Sequence, residues 1–296
     1  MSSRLPVIVL LGASTLWGLS WLPLKSINSM GIDGIPLTLG AYGILALVLT
    51  PLLLKQVGLW RDHKRAMGLI LLLGGSANLA FTYALINGDV IRVMVLFYLL
   101  PVWGVLGGRF FLKEQVDRWR WLGVGLAISG AFLVLGGFDV LGGAPTWVDL
   151  IALLSGLFFA LNNLVFRAAQ AVPVGSKITA MFYGCFILAA VLLAGAVEPM
   201  PTYVSTDAWL ALALYAIFWL LAANIGSQWS VTHMEAGRSS IIMIMELITA
   251  VISAALIAGE TMSSVEMLGG ALILTAAFIE ALRTKDDDAP VADATI

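Results

Sequence analysis

The chain has 296 residues, of which 60% are hydrophobic and 11% are charged, and its formal net charge is −2. A water-soluble domain carries about 25% charged residues, so this composition excludes a soluble protein and indicates a membrane protein. No basic run points to nucleic acid, and a single cysteine excludes an intramolecular disulfide.

A membrane-spanning helix needs about 20 mostly apolar residues. Charged or turn-rich breaks divide the chain into ten such segments, at about 5–25, 35–55, 66–87, 91–111, 117–137, 147–167, 177–197, 207–229, 238–258 and 263–283. The first segment could open a signal peptide. However, Trp17 and Trp21 continue the apolar run without a cleavage site, so we interpret it as an uncleaved helix. The polar tail, 284–296, is predicted to be disordered.

Basic residues indicate the orientation of these segments. With the N-terminus inside, 14 of the 16 Lys and Arg residues lie on the inner side, and only Lys25 and Arg92 lie outside. Cytoplasmic loops carry the excess of Lys and Arg, so both termini are predicted to be cytoplasmic. Lys25 and Arg92 could hold a substrate carboxylate, but structural contacts are the better interpretation for both.

The chain also contains an internal repeat, because residues 77–135 run in register with 223–281 at one offset of 146 residues. The matches include polar residues, which are Asn78 with Asn224, Arg92 with Arg238 and Glu114 with Glu260. Each copy has five spans, an odd number, so the second copy must enter the membrane in the opposite sense. Inverted repeats are typical of secondary transporters, although a duplication kept only for packing is the alternative.

The predicted fold class is therefore an all-α membrane protein with ten transmembrane helices arranged as two inverted five-helix repeats. The first repeat is 1–137, an extracytoplasmic linker is 138–146, the second repeat is 147–283, and a cytoplasmic tail is 284–296.

Glu246 is the sharpest candidate for a functional residue, since it interrupts the apolar run 241–258. A carboxylate at that depth costs several kcal/mol unless it is paired, protonated or hydrated, so a functional role is the default hypothesis. It could bind a substrate ammonium group or exchange a proton. The alternative is a carboxyl group that only hydrogen-bonds between helices.

Polar amides form a second group of candidates. Asn78 and Asn224 occupy matching positions in helices three and eight, and Thr82 and Gln228 follow one turn later at the same offset. Residues four apart share a helix face, so these side chains could line a cavity on the pseudo-twofold axis. Hydrogen bonding between helices without substrate contact is an equal alternative.

Aromatic residues form a third group, from which Trp17, Tyr42, Tyr83 and Tyr98 are predicted to bind substrate. Aromatic rings stack on aromatic substrates or lie against cations. The alternative is the interfacial belt that Trp and Tyr form at membrane surfaces. Pro101 and the pair Gly74-Gly75 are candidate hinges, with close helix packing as the base case for the glycines.

Several short motifs occur in a fixed order. The first half contains Trp17-Gly18 followed by Lys25, then Tyr98-Leu99-Leu100-Pro101, Leu112-Lys113-Glu114 and Gly123…Gly130, and the second half contains Met245-Glu246-Leu247, Gly259-Glu260 and Gly269-Gly270. Over residues 5–283 this pattern resembles the EamA-type exporters of the drug/metabolite transporter superfamily, and among them the YddG-type exporters of aromatic amino acids. Leu247 departs from the proline that family sequences often carry there.

The resemblance implies a central cavity formed by helices of both repeats. It also implies a secondary transporter that exports aromatic or other hydrophobic amino acids across the bacterial inner membrane by alternating access. One alternative is an exporter of multiple drugs or cationic aromatic compounds, and another, of a different class, is an intramembrane enzyme or receptor. The expected partners are a small-molecule substrate, the lipid bilayer and, as a further candidate, protons. No catalytic motif, metal-ligand cluster or phosphate loop is present in the sequence, so no enzyme activity, metal or cofactor is predicted.

Overall fold

The computed structural model describes residues 5–111, 117–134, 146–232 and 236–283, and the regular elements among them are all helical. Three of the features discussed above lie outside the described residues, namely the motif Leu112-Lys113-Glu114, nearly all of the predicted linker (138–145) and the predicted tail (284–296).

The described residues of the first repeat form eight α-helices. They are α1 (Leu5–Gly18), α2 (Trp21–Ser29), α3 (Gly34–Lys55), α4 (Val57–Trp60), α5 (Lys64–Asn87), α6 (Val90–Phe97), α7 (Leu100–Phe111) and α8 (Arg118–Val134). A 3₁₀ turn, Arg61–His63, joins α4 to α5.

The described residues of the second repeat form six more. They are α9 (Trp147–Ala168), α10 (Val174–Ala194), α11 (Thr206–Leu214), α12 (Leu221–Thr232), α13 (Ala236–Ser253) and α14 (Ser264–Arg283). A π-helical segment, Tyr215–Leu220, connects α11 to α12, and a second one, Ala254–Ala258, extends α13.

Six helical stretches of the described chain are long and apolar enough to cross a membrane, which are Leu5–Ser29, Gly34–Lys55, Val57–Asn87, Trp147–Phe166, Val174–Ala194 and Thr206–Ser230. Three shorter apolar helices are Trp121–Val134, Ile242–Ala258 and Ser264–Ile279. Large apolar side chains such as Leu47, Phe218 and Leu256 are more than two-thirds exposed, at 71%, 69% and 81%. A lipid environment would cover them, so the chain is a multi-pass membrane protein. The count of ten spans remains a prediction.

The predicted fourth span is interrupted in its middle. Helix α6 ends at Phe97, α7 begins at Leu100, and Pro101 is the second residue of α7. A proline has no N–H to donate into the preceding turn, so a break just before it is expected. At the matching position of the second repeat, where Leu247 replaces proline, α13 runs on without interruption to Ser253. The two repeats therefore differ in backbone at this level, while hinge motion at Pro101 stays a prediction.

The helices of the two repeats interleave. Helix α5 packs against α9 and α10, α3 packs against α10, α1 packs against α12 and α13, and α8 packs against α14. Glycines allow the closest of these contacts, since Gly130 and Gly269 each face the other's carbonyl group. Each of these pairs joins one repeat to the other, so the cross-repeat interface forms much of the core.

Polar contacts identify the two ends of the bundle. At one end, which we call the Arg92 face, α2 and α5 end and α6, α9 and α14 begin, and Arg92 contacts Asp149 and Glu266 there. At the other end, the Gln56 face, α3 and α9 end and α10 begins, and Ser176 Oγ lies 2.7 Å from Gln56 Oε1. Under the orientation predicted from the basic residues, the Arg92 face is the outer one.

Candidate functional site: a cavity between the repeats

A cavity of about 310 Å³ lies where the two repeats meet. Aromatic, amide and small side chains of both repeats line it, together with one carboxylate from the described chain. The lining comprises Ser14, Trp17, Ala77, Asn78, Phe81, Phe97, Tyr98, Phe159, Asn162, Asn163, Phe166, Met181, Asn224, Ser227, Gln228, Met243, Ile244, Glu246 and Ala277. Largely apolar pockets with a few convergent polar groups are typical sites for small molecules.

The cavity lies on the Gln56 side of the middle of the bundle. Its residues from α9 belong to the second half of that helix, which starts at the Arg92 face. Its residues from α13, Met243, Ile244 and Glu246, lie nearer the start than the end of the helical stretch formed by α13 and its π-helical extension. Ala77, Asn78 and Phe81 lie in the second half of α5, nearer the Arg92 face, so the lean towards the Gln56 face comes mainly from the second repeat.

Six of the nine predicted substrate-binding residues line this cavity, which are Trp17, Asn78, Tyr98, Asn224, Gln228 and Glu246. The other three lie outside the lining. Tyr42 is buried behind the cavity, where its hydroxyl donates to Asn78 Oδ1 at 2.9 Å, and Thr82 is within hydrogen-bonding reach of the same hydroxyl. Tyr83 packs against Gly34 near the Arg92 face.

Glu246 combines burial with an aromatic neighbour. Its residue is 8% exposed although it lines the cavity. The Tyr98 hydroxyl donates to the Met243 carbonyl oxygen at 3.0 Å and is also within hydrogen-bonding reach of the Glu246 carboxyl group. Helix α13 carries Glu246 and the broken span carries Tyr98, so this pair joins the two repeats inside the site.

The matched amides of α5 and α12 have the same geometry. Asn78 Nδ2 donates to the Gly74 carbonyl one turn earlier at 2.8 Å, and Asn224 Nδ2 donates to the Leu220 carbonyl at 2.8 Å. In each residue a hydrogen bond to the residue's own helix therefore holds the amide in place beside the cavity. The equivalence seen in the sequence extends to side-chain conformation.

Asn162 and Asn163 of α9 also line the cavity, although neither was predicted to bind substrate. A signal was available, because two adjacent amides interrupt an apolar helix there, as Glu246 does in α13. Asn162 is 2% exposed, and its Oδ1 has no hydrogen-bond partner. Three phenylalanine rings that line the cavity, those of Phe81, Phe97 and Phe159, form an aromatic wall that was also not predicted. Phe97 lies at its centre, with ring centroids 4.5 Å from Phe81 and 5.6 Å from Phe159.

The candidate hinge glycines lie within an unbroken part of α5 at close contacts with the second repeat. Gly75 faces the backbone of Gly184 and Cys185 in α10. A Cβ atom on Gly74 would lie 2.6 Å from Met181 Cγ and 2.8 Å from Asn162 Oδ1. Both of those side chains line the cavity, so the absence of a side chain at Gly74 sets the shape of the site. A hinge role for either glycine stays a prediction.

We expect Gly74→Ala to raise the apparent KM for transport about tenfold, because the added methyl group displaces Asn162 and Met181 from the lining. Initial rates of uptake into proteoliposomes measure this change. Gly68→Ala is the matched control in the same helix, since a Cβ atom there meets nothing within 4 Å. An unchanged KM in Gly74→Ala would contradict the assignment.

Charged residues tie the repeats together at the Arg92 face. Arg92 donates two hydrogen bonds to Asp149, from Nε at 2.7 Å and from Nη2 at 3.0 Å. The Glu260 carboxylate accepts the backbone N–H groups of Val90 and Ile91, both at 2.9 Å, and thereby caps α6. Lys25 donates to the Gly88 carbonyl at 3.0 Å and lies 3.6 Å from Glu260. The structural contacts expected of Lys25 and Arg92 are thus present.

Two comparisons with known proteins bear on the chain. A sequence model of the EamA-like transporter family matches residues 4–136 and 146–281, one match for each repeat. No curated protein matches the chain. Sixteen solved chains are similar to it. One crystal structure aligns with a TM-score of 0.62 over 96% of this chain and 99% of its own length, at 17% sequence identity. At that identity the likeness shows the fold alone.

Proposed function

The chain belongs to the EamA-like transporter family, and from this premise we propose that it is a secondary transporter of the bacterial inner membrane. It exports aromatic or other hydrophobic compounds that carry an amino group, aromatic amino acids among them, by alternating access. The observation that carries this proposal is the cavity between the repeats, in which aromatic rings and fixed amides surround a buried carboxylate.

The lining has groups for both parts of such a substrate. The rings of Phe81, Phe97 and Phe159 form a wall that an aromatic or branched side chain can contact. Glu246 supplies a charge that can pair with an ammonium group. The volume of about 310 Å³ suits a molecule with the size of an amino acid.

Alternating access needs two faces that open in turn around one site. The cavity leans towards the Gln56 face, and the ion pairs of the described chain cluster at the Arg92 face. This arrangement supports a state that is closed at the Arg92 face. With the orientation favoured by the basic residues, that face is extracytoplasmic and substrate enters from the cytoplasm.

The helix pairings support an inverted repeat. The predicted first span contacts the eighth and ninth spans. The sixth span is the equivalent of the first in the second repeat, and it contacts the third and fourth spans. The second span packs on the seventh and the fifth on the tenth, so these two pairings map onto themselves under the same exchange. A pseudo-twofold axis in the membrane plane would produce such a pattern.

Counterflow in proteoliposomes tests the proposal. Purified protein in liposomes preloaded with unlabelled phenylalanine should accumulate labelled phenylalanine, leucine or phenethylamine above the level of protein-free liposomes. Repeating the measurement with a pH gradient separates proton coupling from facilitated diffusion. If none of the three compounds moves in either condition, the proposed function is wrong, and an intramembrane enzyme or receptor becomes the better hypothesis.

A further inference from the structure

We infer that Tyr42, which lies behind the cavity and not in its lining, is a positioning residue for the substrate. It holds the Asn78 amide so that one N–H group remains for an oxygen atom of the substrate, while the repeat-related Asn224 keeps its own oxygen available. This inference rests on the proposed function. It adds a preference for substrates that carry an acceptor oxygen, such as that of a carbonyl group, beside the amino group.

The orientation of the Asn78 amide follows from its neighbours. The Gly74 carbonyl can only accept, so the atom that lies 2.8 Å from it is the amide nitrogen. The amide oxygen therefore faces the Tyr42 hydroxyl at 2.9 Å, and that hydroxyl donates. The Thr82 hydroxyl lies within hydrogen-bonding reach of the Tyr42 oxygen and can donate to it in turn. The hydrogen bonds thus run in one direction, from the Thr82 hydroxyl to the Gly74 carbonyl.

Burial makes this arrangement rigid. Tyr42 is 2% exposed, and its ring packs edge-on against Phe182 with the centroids 5.6 Å apart. If the Asn78 amide rotated, it would lose both hydrogen bonds where water cannot replace them, which is costly for a buried polar group. Of its two N–H hydrogens, Gly74 takes one, and the other has no acceptor among the described residues. Since Asn78 lines the cavity, this second hydrogen is the one that it can offer to a substrate.

The second repeat lacks the tyrosine. The residue 146 positions after Tyr42 is Leu188, whose side chain has no donor. Asn224 Nδ2 donates to the Leu220 carbonyl, but Asn224 Oδ1 accepts no hydrogen bond from the described residues. Because Asn224 lines the cavity, its oxygen can accept from a substrate N–H. The two matched amides therefore differ in what they offer, and a group with a carbonyl oxygen and an N–H suits them both.

Two ligands that differ in one carboxamide group test the inference on the purified full-length protein. Phenylalaninamide has a carbonyl oxygen beside its ammonium group, and phenethylamine has the same aromatic body and ammonium group without it. Tyr42→Phe keeps the ring and its packing on Phe182 but leaves the Asn78 amide free to rotate. In calorimetric titrations this variant should raise the Kd of phenylalaninamide about fivefold and that of phenethylamine by less than about twofold.

A double-variant cycle separates positioning from a general structural role. Asn78→Ala removes the donor itself and should raise the Kd of phenylalaninamide about tenfold. If Tyr42 acts through Asn78, adding Tyr42→Phe to Asn78→Ala should not raise this Kd further. Tyr183→Phe is the matched control, because its hydroxyl lies 2.6 Å from Thr50 Oγ1, away from the cavity lining. Its Kd values should equal those of the unaltered protein.

The outcomes separate this inference from the proposed function. Additive effects of the two substitutions, or an equal loss of affinity for both ligands in Tyr42→Phe, would overturn the positioning role. If the unaltered protein binds both ligands but transports neither in counterflow, the proposed function is wrong, and the cycle still shows whether Tyr42 orients Asn78. If it binds neither ligand, the proposed function and the inference fail together.

Discussion

A Glu246→Gln protein should transport substrate about 100-fold more slowly than the unaltered protein. Glutamine keeps the shape and the reach to Tyr98, so the bundle should still fold, but it removes the negative charge from a residue that is only 8% exposed. Truncating one partner of a buried charge pair costs about 2–5 kcal/mol, which corresponds to at least about a 30-fold change in affinity. Counterflow of phenethylamine in proteoliposomes measures the loss.

Two comparisons make the Glu246 result specific. Asp207→Asn changes the charge in the same way at the exposed start of α11, and its rate should match that of the unaltered protein. The Kd of 2-phenylethanol should be similar in all three proteins, which would show that the aromatic part of the cavity survives. Transport within twofold of normal in Glu246→Gln would remove Glu246 from the site.

Substituting either Arg92 or Asp149 should lower the free energy of unfolding by about 2–3 kcal/mol. The pair is bidentate, and its side chains are 27% and 5% exposed, so each single substitution leaves a largely buried charge without its partner. Arg92→Gln and Asp149→Asn should each lower the melting temperature of the detergent-purified protein. The double variant should be more stable than the sum of the single effects predicts. Strictly additive effects would show that the pair contributes no coupling.

The same substitutions should open the Arg92 face. Asp149 lies in the first turn of α9, where it also forms a capping box with Thr146. Arg92→Gln therefore removes the ion pair between the repeats and leaves the capping box in place. The chain has one cysteine, Cys185, which is buried, so a Cys185→Ser background suits accessibility labelling. With Ser227→Cys as the probe in the cavity, Arg92→Gln should increase labelling by an impermeant maleimide from the Arg92 face. Unchanged labelling would show that other contacts keep this face closed.

Part of the site could be predicted from the sequence because polar groups stand out in an apolar chain. Glu246, Asn78 and Asn224 each interrupt a hydrophobic helix, where an unsatisfied polar group is costly, and all three line the cavity. Gln228 also lines it, but its repeat partner Thr82 does not. The register of 146 residues identifies equivalent positions, whereas the packing of each helix decides which of them reaches the cavity.

The depth of a residue within its predicted span indicated less reliably than its polarity whether the residue lines the cavity. Tyr42 and Trp17 both lie well inside their predicted spans, but Trp17 lines the cavity and Tyr42 hydrogen-bonds to Asn78 behind it. Phe81, Phe97 and Phe159 could not be distinguished from other apolar residues of their helices. Only the meeting of α5, α9 and the broken span at one point makes them a wall.

The sequence by itself therefore determined that the chain is a repeated, helical membrane protein and which polar residues need an explanation. The tertiary structure decided which helix faces meet around the cavity, where the fourth span breaks, and which charges tie the repeats together. The physical reason is that lipid and protein core are similarly apolar, so a membrane helix is hydrophobic on every side and its periodicity does not reveal the inward face. Only the packed neighbours determine that face.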